Sequence, residues 1–144
     1  MLSGEFKTDN ESGTAELAER FAKELKGGDT VAFFGSLGMG KTAFIRGMAR
    51  GLGIEENVSS PTYALVHEYG DKIKLYHFDM YRVGRWEDLY STGFFDYLEM
   101  GGIVAVEWSE NIEGALPENT IFVRIKKGEG DSERIISIER SDGE

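Results

Sequence analysis

The chain has 144 residues, a formal net charge of −10 and 40% hydrophobic residues. This length predicts one domain over residues 1–144 with enough apolar content for a core. The absence of cysteine excludes disulfides and thiolate zinc sites, and two histidines are too few to favour a histidine-based zinc site. The first residues lack the features of a signal peptide, and no stretch could span a bilayer. We therefore expect a cytoplasmic protein without a membrane partner.

The negative charge is concentrated beyond the first third of the chain. Residues 1–50 carry seven basic and seven acidic groups, whereas residues 51–144 carry nine basic and nineteen acidic groups. Because nucleic acid is held through its phosphates by cations, such a chain is poorly suited to binding it alone. The excess acids suit docking on a basic protein surface, although most of them need only provide solubility.

The first half of the chain predicts alternating strands and helices. Residues 5–8 read as a short edge strand, and the apolar stripe over 17–25 predicts a helix that ends at Gly27-Gly28. The unbroken apolar run 31–34 is typical of a buried parallel strand. The apolar face over 44–52 predicts a second helix.

The segment between that strand and that helix matches the phosphate-binding pattern G-x-x-x-x-G-K-[ST], with the residues Gly35, Ser36, Leu37, Gly38, Met39, Gly40, Lys41 and Thr42. Glycines let the backbone N–H groups of such a loop surround phosphate oxygens. Lys41 can reach the β- and γ-phosphates, and the Thr42 hydroxyl can ligate Mg²⁺. Because the strand and helix context is the one the motif requires, the sequence predicts nucleotide binding.

The second half predicts two hairpins, a broken helix and another buried strand. In chain order these are strands over 63–69 and 72–79 joined at Gly70-Asp71, a helical stretch over 86–100 broken near Gly93, an apolar strand over 103–106, and a closing hairpin of 120–127 and 133–139. The fold class is α/β. We expect a single NTPase-type domain built around the phosphate loop, with a mixed, mostly parallel sheet flanked by helices and a C-terminal β-hairpin.

Two carboxylates follow predicted strands, where ligands of such sheets bind. Glu107 comes directly after the run 103–106, the position of the metal-side acid in phosphate-loop enzymes, and we predict that it holds Mg²⁺. Asp79 ends the run 75–79 and precedes Arg82 closely. It either orients the attacking water or forms a structural contact with Arg82, and spacing leaves both open.

Three further residues have more than one interpretation. Thr62 either senses the γ-phosphate or starts a strand after a turn fixed by Pro61. Trp108 stacks on a base, meets a partner or packs in the core, and packing is the default. His77, in the middle of a predicted strand, is interpreted as a core histidine rather than a metal ligand.

Together these motifs resemble the TsaE family of ATPases, formerly YjeE, of bacterial tRNA threonylcarbamoyladenosine biosynthesis. The matching stretches, in the family's order, are Gly35–Thr42, Ser60–Tyr63, His77–Arg82, Glu87–Gly93, Glu107-Trp108 and Leu116-Pro117. The phosphate loop is generic, whereas H-F-D-x-Y-R followed by E-W is highly specific. Ser36 and Ala43 depart from the family's usual acid and frequent threonine, but phosphate binding uses backbone N–H groups and the Mg²⁺ ligand is unaffected.

The resemblance implies a protein that binds ATP and Mg²⁺ and hydrolyses ATP weakly when alone. It implies two partners, a TsaD-type transferase and its TsaB-type companion, which modify an adenosine beside the anticodon of ANN-decoding tRNAs. The chain then meets tRNA only through the complex. The implied roles are Lys41 on the phosphates, Thr42 and Glu107 on Mg²⁺, Asp79 on the attacking water, Thr62 on the γ-phosphate, Trp108 in the site region, Thr14 near the adenine and Arg134 near the nucleotide.

Two other classes of function compete with this one: a nucleotide-sensing interaction module without turnover, and a small-molecule kinase. A kinase needs an acceptor pocket and usually an arginine-bearing lid, and the sequence has no insertion of that length. A GTPase is disfavoured because neither N-K-x-D nor a D-x-x-G switch is present. The presence of both Asp79 and Glu107 favours hydrolysis over sensing.

Overall fold

A seven-stranded sheet forms the centre of the computed structural model, which describes residues 3–34, 40–54, 66–70, 73–80, 83, 86–107 and 109–140. In chain order the strands are β1 (Gly4–Thr8), β2 (Thr30–Phe34), β3 (Val66–Tyr69), β4 (Leu75–Asp79), β5 (Ile103–Glu107), β6 (Ile121–Lys127) and β7 (Arg134–Arg140). Their order across the sheet is β1-β7-β6-β2-β5-β4-β3.

The sheet is mixed, with parallel strands at its centre and antiparallel strands at both edges. The neighbours β6, β2, β5 and β4 run parallel. β7 runs antiparallel to both β6 and β1, and β3 runs antiparallel to β4. Five of the seven strands therefore share one direction, which confirms the mixed, mostly parallel sheet and the C-terminal hairpin expected from the sequence.

Four α-helices and one 3₁₀ segment connect these strands in the described part of the chain. They are α1 (Glu11–Ala22), α2 (Lys41–Gly51), α3 (Trp86–Ser91), α4 (Phe94–Leu98) and the 3₁₀ segment (Ser109–Ala115). The predicted break lies at Gly93, which has φ +79° between α3 and α4. Within the residues that the structure covers, no helix combines the length and apolarity needed to cross a bilayer.

The first helix ends earlier than the glycine pair predicted. The Asn10 side chain caps the start of α1 by accepting a hydrogen bond from the Gly13 N–H at 2.8 Å. After Ala22 the chain tightens, because the Leu25 N–H donates to the Ala22 carbonyl, three residues back rather than four. Leu25 still packs in the core, so the apolar stripe continues beyond the last α-helical residue. The helix predicted from that stripe was therefore too long.

Helices cover the two faces of the sheet unequally. α1 and α2 pack on one face over the larger core cluster, and α3, α4 and the 3₁₀ segment pack on the other face over β4 and β5. Gly47 allows α2 to approach α1 closely, since a Cβ atom at this position would collide with the Ala15 carbonyl. This contact holds α2 close against α1.

Candidate functional site

The carboxyl ends of β2, β4 and β5 lie side by side at one edge of the sheet. Asp79, the last residue of β4, is in register with Glu107, the last residue of β5. Parallel strands are about 4.8 Å apart, so the two carboxylates project from adjacent positions. The chain leaves β2 after Phe34 at this same edge. The geometry therefore brings together both acids predicted from the sequence.

The backbone around Glu107 is held by hydrogen bonds beyond the regular strand ladder. The Met80 N–H donates to the Glu107 carbonyl at 3.0 Å, which continues the pairing of β4 and β5 past Asp79. The Ser109 hydroxyl donates to the Val106 carbonyl at 2.9 Å. Rigid backbone on both sides of Glu107 limits the positions that its carboxylate can reach.

α2 begins with Gly40 as its N-cap, in a left-handed conformation at φ +96° that favours glycine. A glycine cap supplies no side-chain oxygen to the N–H groups of the first turn, which suits a helix start that receives an anion. Lys41 is only 3% exposed. A buried ammonium is favourable beside an anion, so the first turn of α2 has the chemistry of a phosphate site.

Seven of the predicted site residues lie outside the described part of the chain: Gly35, Ser36, Leu37, Gly38, Met39, Thr62 and Trp108. Arg82, the alternative partner of Asp79, also lies outside it. The predictions for these positions stay predictions.

Arg134 reaches the start of α2 from the C-terminal hairpin. Its Nη1 donates to the carbonyls of Asp131 and Glu133 at 2.8 and 2.9 Å. Its Nε lies 3.9 Å from the place that a Cβ atom on Gly40 would occupy. The guanidinium group is therefore near Gly40 at the start of α2, and the approach of Arg134 to the nucleotide stays a prediction.

Glu133, beside Arg134, organises the same hairpin turn. Its carboxylate accepts a hydrogen bond from the Glu129 N–H at 2.9 Å, and it forms an ion pair with Lys7 at 3.3 Å. The backbone N–H of Glu129, with the Lys7 ammonium as a smaller contribution, holds the pKa of the Glu133 carboxyl below its ordinary value. These contacts join the turn to β1 and so help to place Arg134.

Thr14 is buried in α1, where its hydroxyl and that of Thr8 form a hydrogen bond of 2.7 Å. This bond ties β1 to α1, a structural role that the sequence analysis did not anticipate. The predicted approach of Thr14 to an adenine stays a prediction.

His77 is fully buried, as expected for a core histidine, and it also contacts the proposed metal acid. Its Nε2 lies 2.6 Å from the Glu107 Oε2, and Glu107 itself is 5% exposed. This pair was not predicted from the sequence. The spacing places His77 on the same face of β4 as Asp79, but it does not show that β5 and Glu107 lie beside that face.

The donors at this edge fit Mg²⁺ that arrives with a nucleotide. The Thr42 hydroxyl and the Glu107 carboxylate offer hard oxygen ligands. In the described residues, no group of three or more His, Asp, Glu or Cys side chains could form a metal cage. Mg²⁺ usually takes one or two protein ligands and completes its shell with phosphates and water, so this sparse donor set suits it.

These features define a class of protein: an α/β protein with a phosphate-loop sequence between a central strand and a helix, and two carboxylates on the neighbouring strand ends. Comparison with known proteins gives the family. Residues 8–136 match the family model described as "Threonylcarbamoyl adenosine biosynthesis protein TsaE". The chain belongs to the TsaE family, as its motifs indicated.

Individual relatives support this membership. The tRNA threonylcarbamoyladenosine biosynthesis protein TsaE of Bacillus subtilis is 40% identical over 139 residues, covering 95% of this chain and 85% of the relative. The protein of the same name from Treponema pallidum is 35% identical over 113 residues, or 78% of this chain and 84% of the relative. The crystal structure of Bacillus subtilis YdiB matches with a TM-score of 0.76 and 34% identity, covering 93% of this chain and 82% of that one.

Proposed function

We propose that this chain is a Mg²⁺-dependent ATPase that is required for the threonylcarbamoyladenosine modification of ANN-decoding tRNAs. The observation that carries the proposal is the pairing of Asp79 with Glu107 at the carboxyl ends of β4 and β5, next to the end of β2, after which the phosphate-loop sequence leads into α2. Family membership supports the biological process. The presence of both acids supports turnover, because a protein that only senses nucleotide needs neither water activation nor both acids.

Each residue has a distinct part in the proposed hydrolysis. Lys41 and the N–H groups of the first turn of α2 hold the phosphates. Thr42 and Glu107 would hold Mg²⁺, which when bound offsets negative charge on the β- and γ-phosphate oxygens. Asp79 orients the attacking water and accepts its proton.

The remaining predicted residues complete the site in this proposal. Thr62 contacts the γ-phosphate, and Trp108 lies in the site region. Arg134 contacts the nucleotide from the hairpin, which its position near Gly40 supports. Thr14 approaches the adenine from the side of α1.

The partners in this proposal are a TsaD-type transferase and a TsaB-type companion. The net charge of −10 supports docking on a basic protein surface and disfavours direct binding of tRNA. We expect slow turnover by the chain alone, because a partner supplies a catalytic group or orders the segment around Thr62. A missing arginine finger lowers the rate of phosphate-loop hydrolases by ~10³–10⁵.

The test is ATP hydrolysis by the purified protein, alone and then with both partners, with Glu107→Ala as the control. Strong stimulation by the partners, lost in Glu107→Ala, is the expected result. The protein could instead bind ATP tightly and form the complex without any stimulation of hydrolysis. That result would favour a nucleotide-sensing module and leave Asp79 a structural residue.

A further inference from the structure

We infer that His77 is a positioning residue that holds the Glu107 carboxylate in one orientation, with its second oxygen presented to Mg²⁺. This inference rests on the proposed function, since it assumes that Glu107 lies in the metal site. It assigns to His77 a role beyond the core packing expected from the sequence.

The strand register brings the two side chains together. His77 pairs with Ala105 across β4 and β5, and Glu107 is two residues beyond Ala105 on the same face. The small Ala105 side chain leaves room for the imidazole ring to reach Glu107. Both side chains lie on the face that α2 covers, because Ala105 belongs to the core cluster formed with α2.

The direction of the hydrogen bond follows from the chemistry of the two groups. An ionised carboxylate can only accept, so His77 Nε2 donates its hydrogen to Glu107 Oε2. His77 Nδ1 is buried and has no hydrogen-bond partner among the residues that the structure describes. A buried N–H without a partner is rare and costly, so Nδ1 carries a lone pair rather than a hydrogen. The geometry assigns the Nε2–H tautomer.

This bond determines which oxygen of Glu107 is available. His77 occupies Oε2, which leaves Oε1 as the second oxygen of the carboxylate. Oε1 is therefore the oxygen that can face a metal or a metal-bound water. Hydrogen-bonding partners of metal ligands typically contribute 10–100-fold to metal affinity or activity.

A buried pair with only a structural role would change stability without changing metal binding. Two substitutions separate these roles. His77→Leu removes the donor at similar volume, and His77→Gln keeps an N–H donor at similar reach. His67→Leu is the matched control, because His67 faces His77 from β3 but bonds to the Tyr69 hydroxyl at 2.9 Å instead.

The measurement is the affinity for a fluorescent ATP analogue, taken once with Mg²⁺ and once with EDTA. The ratio of the two affinities reports the contribution of the metal. We expect this ratio to fall about tenfold or more in His77→Leu while the affinity in EDTA stays unchanged. The ratio should be retained in His77→Gln and in His67→Leu. An unchanged ratio in folded His77→Leu would overturn the inference.

A second measurement needs no variant and so does not depend on the folding of His77→Leu. The ¹⁵N spectrum of the wild-type protein should show His77 as the Nε2–H tautomer, and its signal should move when Mg²⁺ is added to the nucleotide complex. An Nδ1–H tautomer, or a signal unmoved by Mg²⁺, would contradict the proposed role.

Glu107→Ala distinguishes failure of this inference from failure of the proposed function. If Glu107→Ala keeps the wild-type ratio, Glu107 is not in the metal site and the proposed function is wrong at that point. If Glu107→Ala lowers the ratio and His77→Leu does not, only the role of His77 is wrong.

Discussion

At the scale of single residues, the proposed function gives the binding of the phosphates and the activation of water to different side chains. Lys41 is buried at the start of α2, whereas Asp79 is half-buried at the end of β4 beside Glu107. The ammonium group attracts the phosphates in every state of the reaction. The Asp79 carboxylate would act only on the water, so its removal should affect turnover alone.

We predict that Lys41→Ala weakens nucleotide binding, whereas Asp79→Ala leaves it nearly unchanged and lowers the turnover rate about 10²–10⁴-fold. Calorimetric titration with a non-hydrolysable ATP analogue and phosphate release with the partners present measure the two effects. Equal losses of nucleotide affinity in the two variants would show that this division of roles is wrong.

The two carboxylates could be predicted from the sequence, but the bond between His77 and Glu107 could not. Each acid follows its own apolar strand, and a strand end is a local feature that the sequence displays. The hydrogen bond depends instead on which strands are neighbours and in which register, a property of the whole sheet. The same limit applies to the hydrogen bond between Thr8 and Thr14.

At the scale of elements, the end of a helix could be predicted from the sequence where a glycine in a left-handed conformation determines it. The break at Gly93 was predicted correctly because a left-handed glycine acts locally. The end of α1 was predicted too late. Leu25 packs in the core whether or not its backbone is α-helical, so its apolar side chain does not mark the end of the helix. The antiparallel pairing of β3 and β4 was predicted correctly, but the two-residue turn at Gly70-Asp71 was wrong. Tyr69 pairs with Leu75, so the connection consists of residues 70–74.

The contact between α1 and α2 can be tested at Gly47. We predict that Gly47→Ala lowers the free energy of unfolding by about 1–3 kcal/mol, because its methyl group would collide with the Ala15 carbonyl and the helices would have to separate. Gly114→Ala is the matched control, since nothing lies within 4 Å of a Cβ atom there. Chemical denaturation measures both, and a Gly47→Ala variant as stable as Gly114→Ala would contradict the close packing.

The turn of the C-terminal hairpin gives a prediction about pH. The pKa of Glu133 is lower in the folded chain than its ordinary value of 4.5. The ionised form therefore stabilises the folded state above that value, and this stabilisation is lost as the pH falls through the lower, folded pKa.

The test compares the unfolding free energies of wild type and Glu133→Gln over a pH series. Glutamine can still accept the hydrogen bond from the Glu129 N–H but carries no charge. The advantage of wild type should be constant above the ordinary pKa and should shrink below it. An advantage that grows on acidification would have the wrong sign.

At the scale of the whole molecule, the excess of acidic groups lies outside the segment that carries the phosphate-loop sequence. The excess of acidic groups lies in residues 51–144, while the phosphate-loop sequence and its lysine lie in residues 1–50, where charges balance. In the proposed function, the chain therefore binds a nucleotide through a segment whose charges balance, although the net charge of −10 repels polyanions. The same excess attracts a basic protein surface over a distance set by the salt concentration, about 8 Å at physiological ionic strength.

We therefore predict that association with the TsaD- and TsaB-type partners is steered by charge. The association rate constant should fall roughly tenfold or more as salt is raised, and the dissociation rate constant should change little, because steering acts before contact. Biolayer interferometry on immobilised partner complex, over a salt series at fixed nucleotide concentration, separates the two constants. If the association rate were insensitive to salt, the acidic groups would serve solubility alone. A change confined to dissociation would point instead to ion pairs within the formed interface.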